Sequence, residues 1–132
     1  MDLVADRSRD WMAQAERDLR HARNARDDGD HEWACFAAQQ AAEKAVKALA
    51  VRLGGEPWGH SVTALLQALP EAVRPQAVLI DQAKALDKHH IQPRYPNGFD
   101  TGAPGDYYTQ AEADAAIAEA EAILVFCRDR LG

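Results

Sequence analysis

Apolar side chains recur every third or fourth position along most of this chain, and strict alternation is nearly absent, so the pattern predicts helices and no sheet. From Ser8 to about Asp28, Trp11, Ala15, Leu19 and Ala22 share one stripe, while Arg9, Glu16, Arg20 and Arg23 can face water. The run DDGD, residues 27 to 30, interrupts this helix. Gly29 suits a helix C-terminus, and Asp30 suits the N-cap of the next.

The second segment, His31 to Leu53, is rich in alanine and poor in charge. A helix so apolar around its girth belongs at the centre of a bundle, where alanine lets neighbours approach closely. Cys35, Ala38, Ala42, Ala45, Val46, Leu49 and Leu53 form one broad face. Trp33, Phe36, Gln40, Glu43, Lys44 and Lys47 lie opposite, and Gly54 and Gly55 end the segment. A short helix is predicted from about Ser61 to Leu69, stopped by Pro70. A fourth runs from Pro75, a favourable first-turn residue, to about His90, with Leu79, Ala83, Leu86 and His90 as its stripe.

A proline- and glycine-containing loop follows, Ile91 to Tyr108, long for a connection with no structure of its own. The last helix opens on a capping box, Thr109 with Glu112, and carries Ala111, Ala115, Ala118, Ala122 and Val125 at helical spacing, with Ile117 and Leu124 on another side. The expected architecture is all-α: an antiparallel bundle of four main helices plus one short helix, in a single domain over residues 1–132.

Composition narrows the function classes. The formal charge of −6 disfavours broad binding to a DNA or RNA backbone, which relies on clustered Lys and Arg, yet permits a local basic pocket. No apolar run approaches the roughly 20 residues of a membrane span. The opening MDLVADRSRDW alternates acidic and basic residues, unlike a secretory signal, so a cytoplasmic location is expected. Cys35 and Cys127 sit among apolar neighbours without CxxC spacing and read as buried free thiols.

Chemistry concentrates in HHIQPRYPNGFD, residues 89 to 100. Pro93 and Pro96 bias Gln92 and Tyr95 towards extended backbone and stiffen the segment that carries Arg94, reducing the entropy lost when its guanidinium engages an anion. His89 and His90 close a helix, where the dipole favours imidazolium. With Gln40 and Lys44 or Lys47 from the polar side of the second helix, these groups can surround a phosphate, and Tyr95 or a tryptophan can stack a base. The competing reading ties Arg94 to Glu43 or Asp87 as a plain structural clasp. Metal binding is not expected, since adjacent histidines on a helix do not readily share an ion and no HxxxH spacing occurs. No cofactor is implied: GGEPWG lacks the lysine and hydroxyl of a phosphate-binding loop, and no serine sits in a nucleophile elbow.

AERDL in the first helix, FAAQQAAEKAVKAL in the second, the GH ending at His60, LDKHHIQPRYP and YYTQAEADAAIAEAEAIL together resemble the HEPN-domain family, named for higher eukaryotes and prokaryotes nucleotide-binding. The resemblance covers Trp11 to Leu131. It implies a bundle of four main helices, often a homodimer with a polar cavity near its two-fold, paired with a minimal nucleotidyltransferase in a toxin–antitoxin-like arrangement. Some members bind nucleotides. Others are metal-independent ribonucleases that use Arg, four to six intervening residues, then His near the start of the last major helix.

Here the only such interval, Arg26 to His31, falls between the first two helices, and the last helix has no histidine. HHIQPRYP reverses the order and matches the RYP-bearing branch, for which nucleotide binding is implied. The sequence therefore leans towards a non-enzymatic nucleotide-binding protein with Arg94, Tyr95, Lys44, Lys47, Gln40 and His90 as ligand contacts. Two alternatives stand beside it: a metal-independent ribonuclease toxin using His89 or His90 with Arg94, and a non-catalytic adaptor presenting Trp33 and Phe36 to another protein.

Overall fold

A computed structural model describes residues 6–132. The first five residues, part of the stretch used above to argue against a leader, lie outside the described residues. Five helices form: α1 (Ser8–Asp27), α2 (His31–Arg52), α3 (Val62–Gln67), α4 (Ala77–Asp87) and α5 (Gln110–Leu131). No strand occurs among the described residues. The fold is all-α, as expected.

The turn between α1 and α2 is set by Gly29, whose φ of 86° is open to glycine at little cost. The Gly29 amide donates to the Arg26 carbonyl and the Asp30 amide to the Ala25 carbonyl, pairing the last acceptors of α1 in a Schellman arrangement. Asp30 holds the N-cap position of α2, but its side chain accepts no amide there. Gly54, at φ 88°, closes α2 in the same way, with the Gly55 amide bonded to the Ala50 carbonyl. So short a reversal makes α1 and α2 antiparallel neighbours.

Helix α2 is central: it packs against α1 and α5 and also touches α3 and α4. Ala34, Ala38, Ala41, Ala42, Ala45 and Ala48 are fully buried along it, so the adjoining backbones come close. Leu49, Leu66, Leu69, Leu86, Ile123 and Leu124 supply the largest buried volumes. Truncating one of these to alanine costs about 2–5 kcal/mol in a core of this kind.

Several elements differ from the expected ones. The alanine stripe of α5 is the wrong face: Ala111, Ala115, Ala118 and Val125 are exposed, whereas Ala113, Ala116, Ile117, Ala120, Ile123, Leu124 and Cys127 are buried. Large aliphatic side chains remove more apolar area from water than methyl groups, so they decide the rotation of the helix. In α1 Met12 takes the buried place and Trp11 is half-buried; Leu53, just past the end of α2, is exposed. Helix α4 ends at Asp87, so His90 lies beyond it. The 91–108 segment is no bare loop. It winds through three single 3-10 turns, Gln92–Arg94, Pro96–Gly98 and Pro104–Asp106. Tyr95 is extended, as its proline neighbour dictates, but Gln92 opens a turn instead. The capping box of α5 forms in full, with the Glu112 amide on Thr109 Oγ1 and the Thr109 amide on Glu112 Oε1.

Candidate functional site

Asp87, the last residue of α4, joins that helix to the start of α3. Its carboxylate accepts from the amides of Val62 (2.7 Å) and Thr63 (3.1 Å) and from the Ser61 hydroxyl (3.1 Å). Ser61 Oγ in turn accepts from the Ala64 amide, capping α3. This joint brings His60, just before Ser61, against His90, just after α4. The two imidazoles stack with centroids 4.6 Å apart and planes 22° apart.

Below them lies Glu43 of α2, only 4% exposed. Its carboxylate oxygens are 3.3 and 3.4 Å from His60 Nδ1. Lys47 Nζ donates to Oε2 at 3.1 Å, and Gln39 Nε2 donates both to Oε1 (3.3 Å) and to the His60 carbonyl (3.0 Å). The Gln40 amide completes the chain by donating to Gln39 Oε1 at 2.7 Å. A buried carboxylate needs this much hydrogen bonding to stay ionised.

Arg94 approaches from the other side. Its Nε donates to the His90 carbonyl at 2.9 Å, and its guanidinium lies 4.4 Å above the Phe36 ring, which itself stacks on His90 at 6.5 Å. Pro93, fully buried, fixes the turn on which the arginine sits. Among the described residues the guanidinium forms no ion pair, and the clasp to Glu43 or Asp87 of the competing reading is not made. The cation–π contact holds the group in place while leaving its outer N–H donors free for an anion.

Burial is the largest influence on Glu43 and by itself would raise its pKa. The hydrogen bonds from Lys47, Gln39 and His60 outweigh it and hold the carboxyl below the ordinary value. His90 is pushed down, first by burial and then by the neighbouring His60 and Arg94. His89 is lowered too, again chiefly by burial. The imidazolium expected at both positions is thus disfavoured, chiefly by burial.

The sequence-derived candidates divide. His90, Arg94 and Gln40 join one network, with Lys47 at its inner end beside Glu43 and its ammonium 5.7 Å from the Trp11 ring. Lys44 does not join it: its ammonium is paired with Asp18 of α1. His89 turns away, its Nδ1 3.4 Å from the hydroxyl of the buried Tyr108. Tyr95 is half-exposed, its ring 5.3 Å from the guanidinium. Sequence reasoning missed His60, Gln39 and the central place of Glu43. The available signal was the GH pair directly before a serine N-cap, which fixes His60 at a helix entrance.

Two recesses flank the imidazole pair. One, of about 480 Å³, opens between the end of α2, the 54–60 loop and α3, with Trp58, His60, Ala64 and Leu65 in its wall. The other, of about 460 Å³, is lined by His90, Tyr95, Gln92 and Lys88 among others.

Glu43, His60 and His90 present donor atoms within 4.8 Å of one another, near enough to share an ion. As placed, however, the two ring planes are almost parallel, so their in-plane lone pairs do not converge on one point. Lys47 also occupies the same carboxylate. Metal ligation would require His60 to turn about χ2 and Lys47 to yield. The arrangement present hydrogen-bonds a buried carboxylate to the exposed His60 imidazole, which stacks on His90, whose carbonyl holds the Arg94 guanidinium.

A family model described as the HEPN domain matches residues 8–130. Among solved structures, a protein from Thermus thermophilus is 45% identical with a TM-score of 0.93, covering 96% of this chain and 99% of that one. An archaeal HEPN homologue is 42% identical with a TM-score of 0.82, covering 97% and 100%. A HEPN domain protein from Thermotoga maritima is 39% identical with a TM-score of 0.73, covering 90% and 94%. Curated proteins give no match.

Proposed function

Since this chain belongs to the HEPN domain family, we propose that it is a nucleotide-binding module whose phosphate contact is Arg94. The observation that carries this reading is the half-buried guanidinium, held by Phe36 and the His90 carbonyl and without a carboxylate partner among the described residues. An anion meeting it also meets two imidazoles, of which His90 is held towards its neutral form by burial, His60 and Arg94 until a negative charge arrives. Gln40, partly buried, brings an amide to the floor, and the fully buried Gln39 holds it and Glu43 in place. Lys44 leaves the ligand set proposed from sequence, and Lys47 acts through Glu43.

The module works as a homodimer with a minimal nucleotidyltransferase in a toxin–antitoxin-like pair, in the cytoplasm. Support comes from the apolar groups left uncovered around the site, Trp33 at 47% exposure with Ile91 and Tyr95. Aromatic residues beside arginine are enriched where protein surfaces meet. Sedimentation of the purified chain and co-purification with the product of a neighbouring nucleotidyltransferase gene test these associations. A one-chain solution mass would count against the dimer.

The direct test of the site is thermal stabilisation by nucleoside phosphates. Wild type gains melting temperature with ligand, and Arg94→Ala loses that gain while its circular dichroism is unchanged. Equal stabilisation of the two proteins would overturn the assignment.

A ribonuclease reading has one observation in its favour. Glu43 orients His60 through Nδ1 while most of that side chain stays exposed, and His90, kept neutral by its lowered pKa, can accept a proton. On this reading RNA is cut in the presence of EDTA, and cutting ceases in His90→Ala. Cutting that survives in that variant would dismiss it.

A further inference from the structure

Trp58 is 87% exposed, the most uncovered large apolar side chain among the described residues. It stands on the connection between α2 and α3 at the mouth of the 480 Å³ recess, whose floor is made of Ala50, Ala64, Leu65 and Ala68. Short side chains on a helix surface give that floor a flat, apolar character. The recess shares a wall with the site, because His60 lines both. On its rim, Glu56 offers a carboxylate acceptor.

We propose that this recess receives the purine base of the nucleotide, with Trp58 closing over the ring and the phosphate lying beyond His60 towards His90 and Arg94. This rests on the nucleotide-binding reading above and adds to it which end of the ligand lies where. Three features favour a base over another apolar group. The volume falls in the range of small-ligand pockets. An exposed indole offers a stacking face that any base can use, and it loses little side-chain entropy on binding. Apart from Glu56 on the rim, the polar set lies on the His60 side, so a ligand filling both regions is flat and largely apolar at one end and anionic at the other. The second recess lacks this division, since Asp87, Lys88 and Asn97 line it together with Tyr95.

Glu56 on the rim favours bases that present N–H donors. Guanine, with two such donors side by side, fits it better than bases with fewer.

Calorimetric titration of wild type, Trp58→Ala, Trp58→Phe and Ala64→Leu with GMP, UMP and ribose 5-phosphate tests the assignment. Ala64 is exposed on α3, so leucine there narrows the recess without entering the core. GMP is expected to bind wild type more tightly than ribose 5-phosphate. Trp58→Ala and Ala64→Leu should each weaken GMP by on the order of tenfold while leaving ribose 5-phosphate unchanged, and Trp58→Phe should restore most of the loss. If GMP and ribose 5-phosphate bind alike and neither variant affects either, the base lies elsewhere; the Arg94 dependence would then stand alone. If wild type binds none of the three, the nucleotide-binding reading itself fails and this assignment fails with it.

Discussion

His60 and His90 face each other ring to ring, 4.6 Å between centroids, although one precedes α3 and the other follows α4. Neither helix carries its histidine inside its own regular turns. What joins them is the Asp87 carboxylate, which ends one helix and caps the other. The site therefore depends on a joint between two helix termini rather than on one helical face.

Asp87→Asn tests this joint. The amide keeps the shape but presents N–H to donors that need an acceptor, so a loss of about 1–3 kcal/mol is expected in urea denaturation. Ligand affinity falls with it, because His60 is no longer held against His90. A variant with unchanged affinity would show that the imidazole pair forms without the joint.

On the proposed reading, binding of a nucleoside phosphate is expected to draw in a proton. His90 sits below its ordinary value of 6.5 because of burial, His60 and Arg94, with Glu43 and Asp87 acting the other way. A bound phosphate adds negative charge and raises it again. Affinity for a nucleoside phosphate is therefore expected to rise as pH falls through the neutral range towards the lowered value of His90. Calorimetry in two buffers of different ionisation enthalpy should register proton uptake, and His90→Asn should remove it.

For the free protein the sign follows from the same shift. A histidine depressed by folding contributes stability that is fully present above 6.5 and is lost as pH falls through its lower folded value. Melting temperature should decline on acidification in that window, and less so in His90→Asn.

Glu43 and Lys47 are both nearly closed off from water, so neither tolerates loss of the other. Lys47→Met or Glu43→Gln alone is expected to cost on the order of 3 kcal/mol. The double variant should cost clearly less than the sum, with a coupling of at least about 1 kcal/mol. Additive losses would mean that Gln39 and His60 alone hold the carboxylate.

Cys35 and Cys127 are fully buried, and burial pushes each thiol up to about 12. Neither is a nucleophile at neutral pH. Thiol reagents should react with native protein only as slowly as it opens, and with both groups at once in denaturant.

The helices and the buried thiols were legible in the sequence because their signals are local: periodicity, glycine stops, the Thr109 capping box. The face of α5 was not. Its alanines recur on more than one side, and spacing alone does not weigh a methyl group against Ile117, Ile123 or Leu124. Half the site was legible for a similar reason. Arg94 announces itself by the prolines around it, and His90 by its place at a helix end. Glu43 pairs with Lys47 one helical turn on, a contact that spacing alone allows, but its second partner, His60, arrives through tertiary packing alone. Lys44 read as a neighbour of the same site and instead belongs to Asp18, a choice made by the packing of α1 on α2.

The alanine girdle of α2 also bears on how this protein can change over generations. With Ala38, Ala41, Ala42 and Ala45 pressed between neighbouring helices, any larger residue beneath Glu43 must displace a whole helix. The turns at 54–60 and 91–108 are mostly exposed and, outside Pro93, Pro104, Tyr108 and the positive-φ glycines, carry no such constraint. Divergence in ligand choice among related chains should accordingly accumulate in those two turns, above a floor that stays fixed.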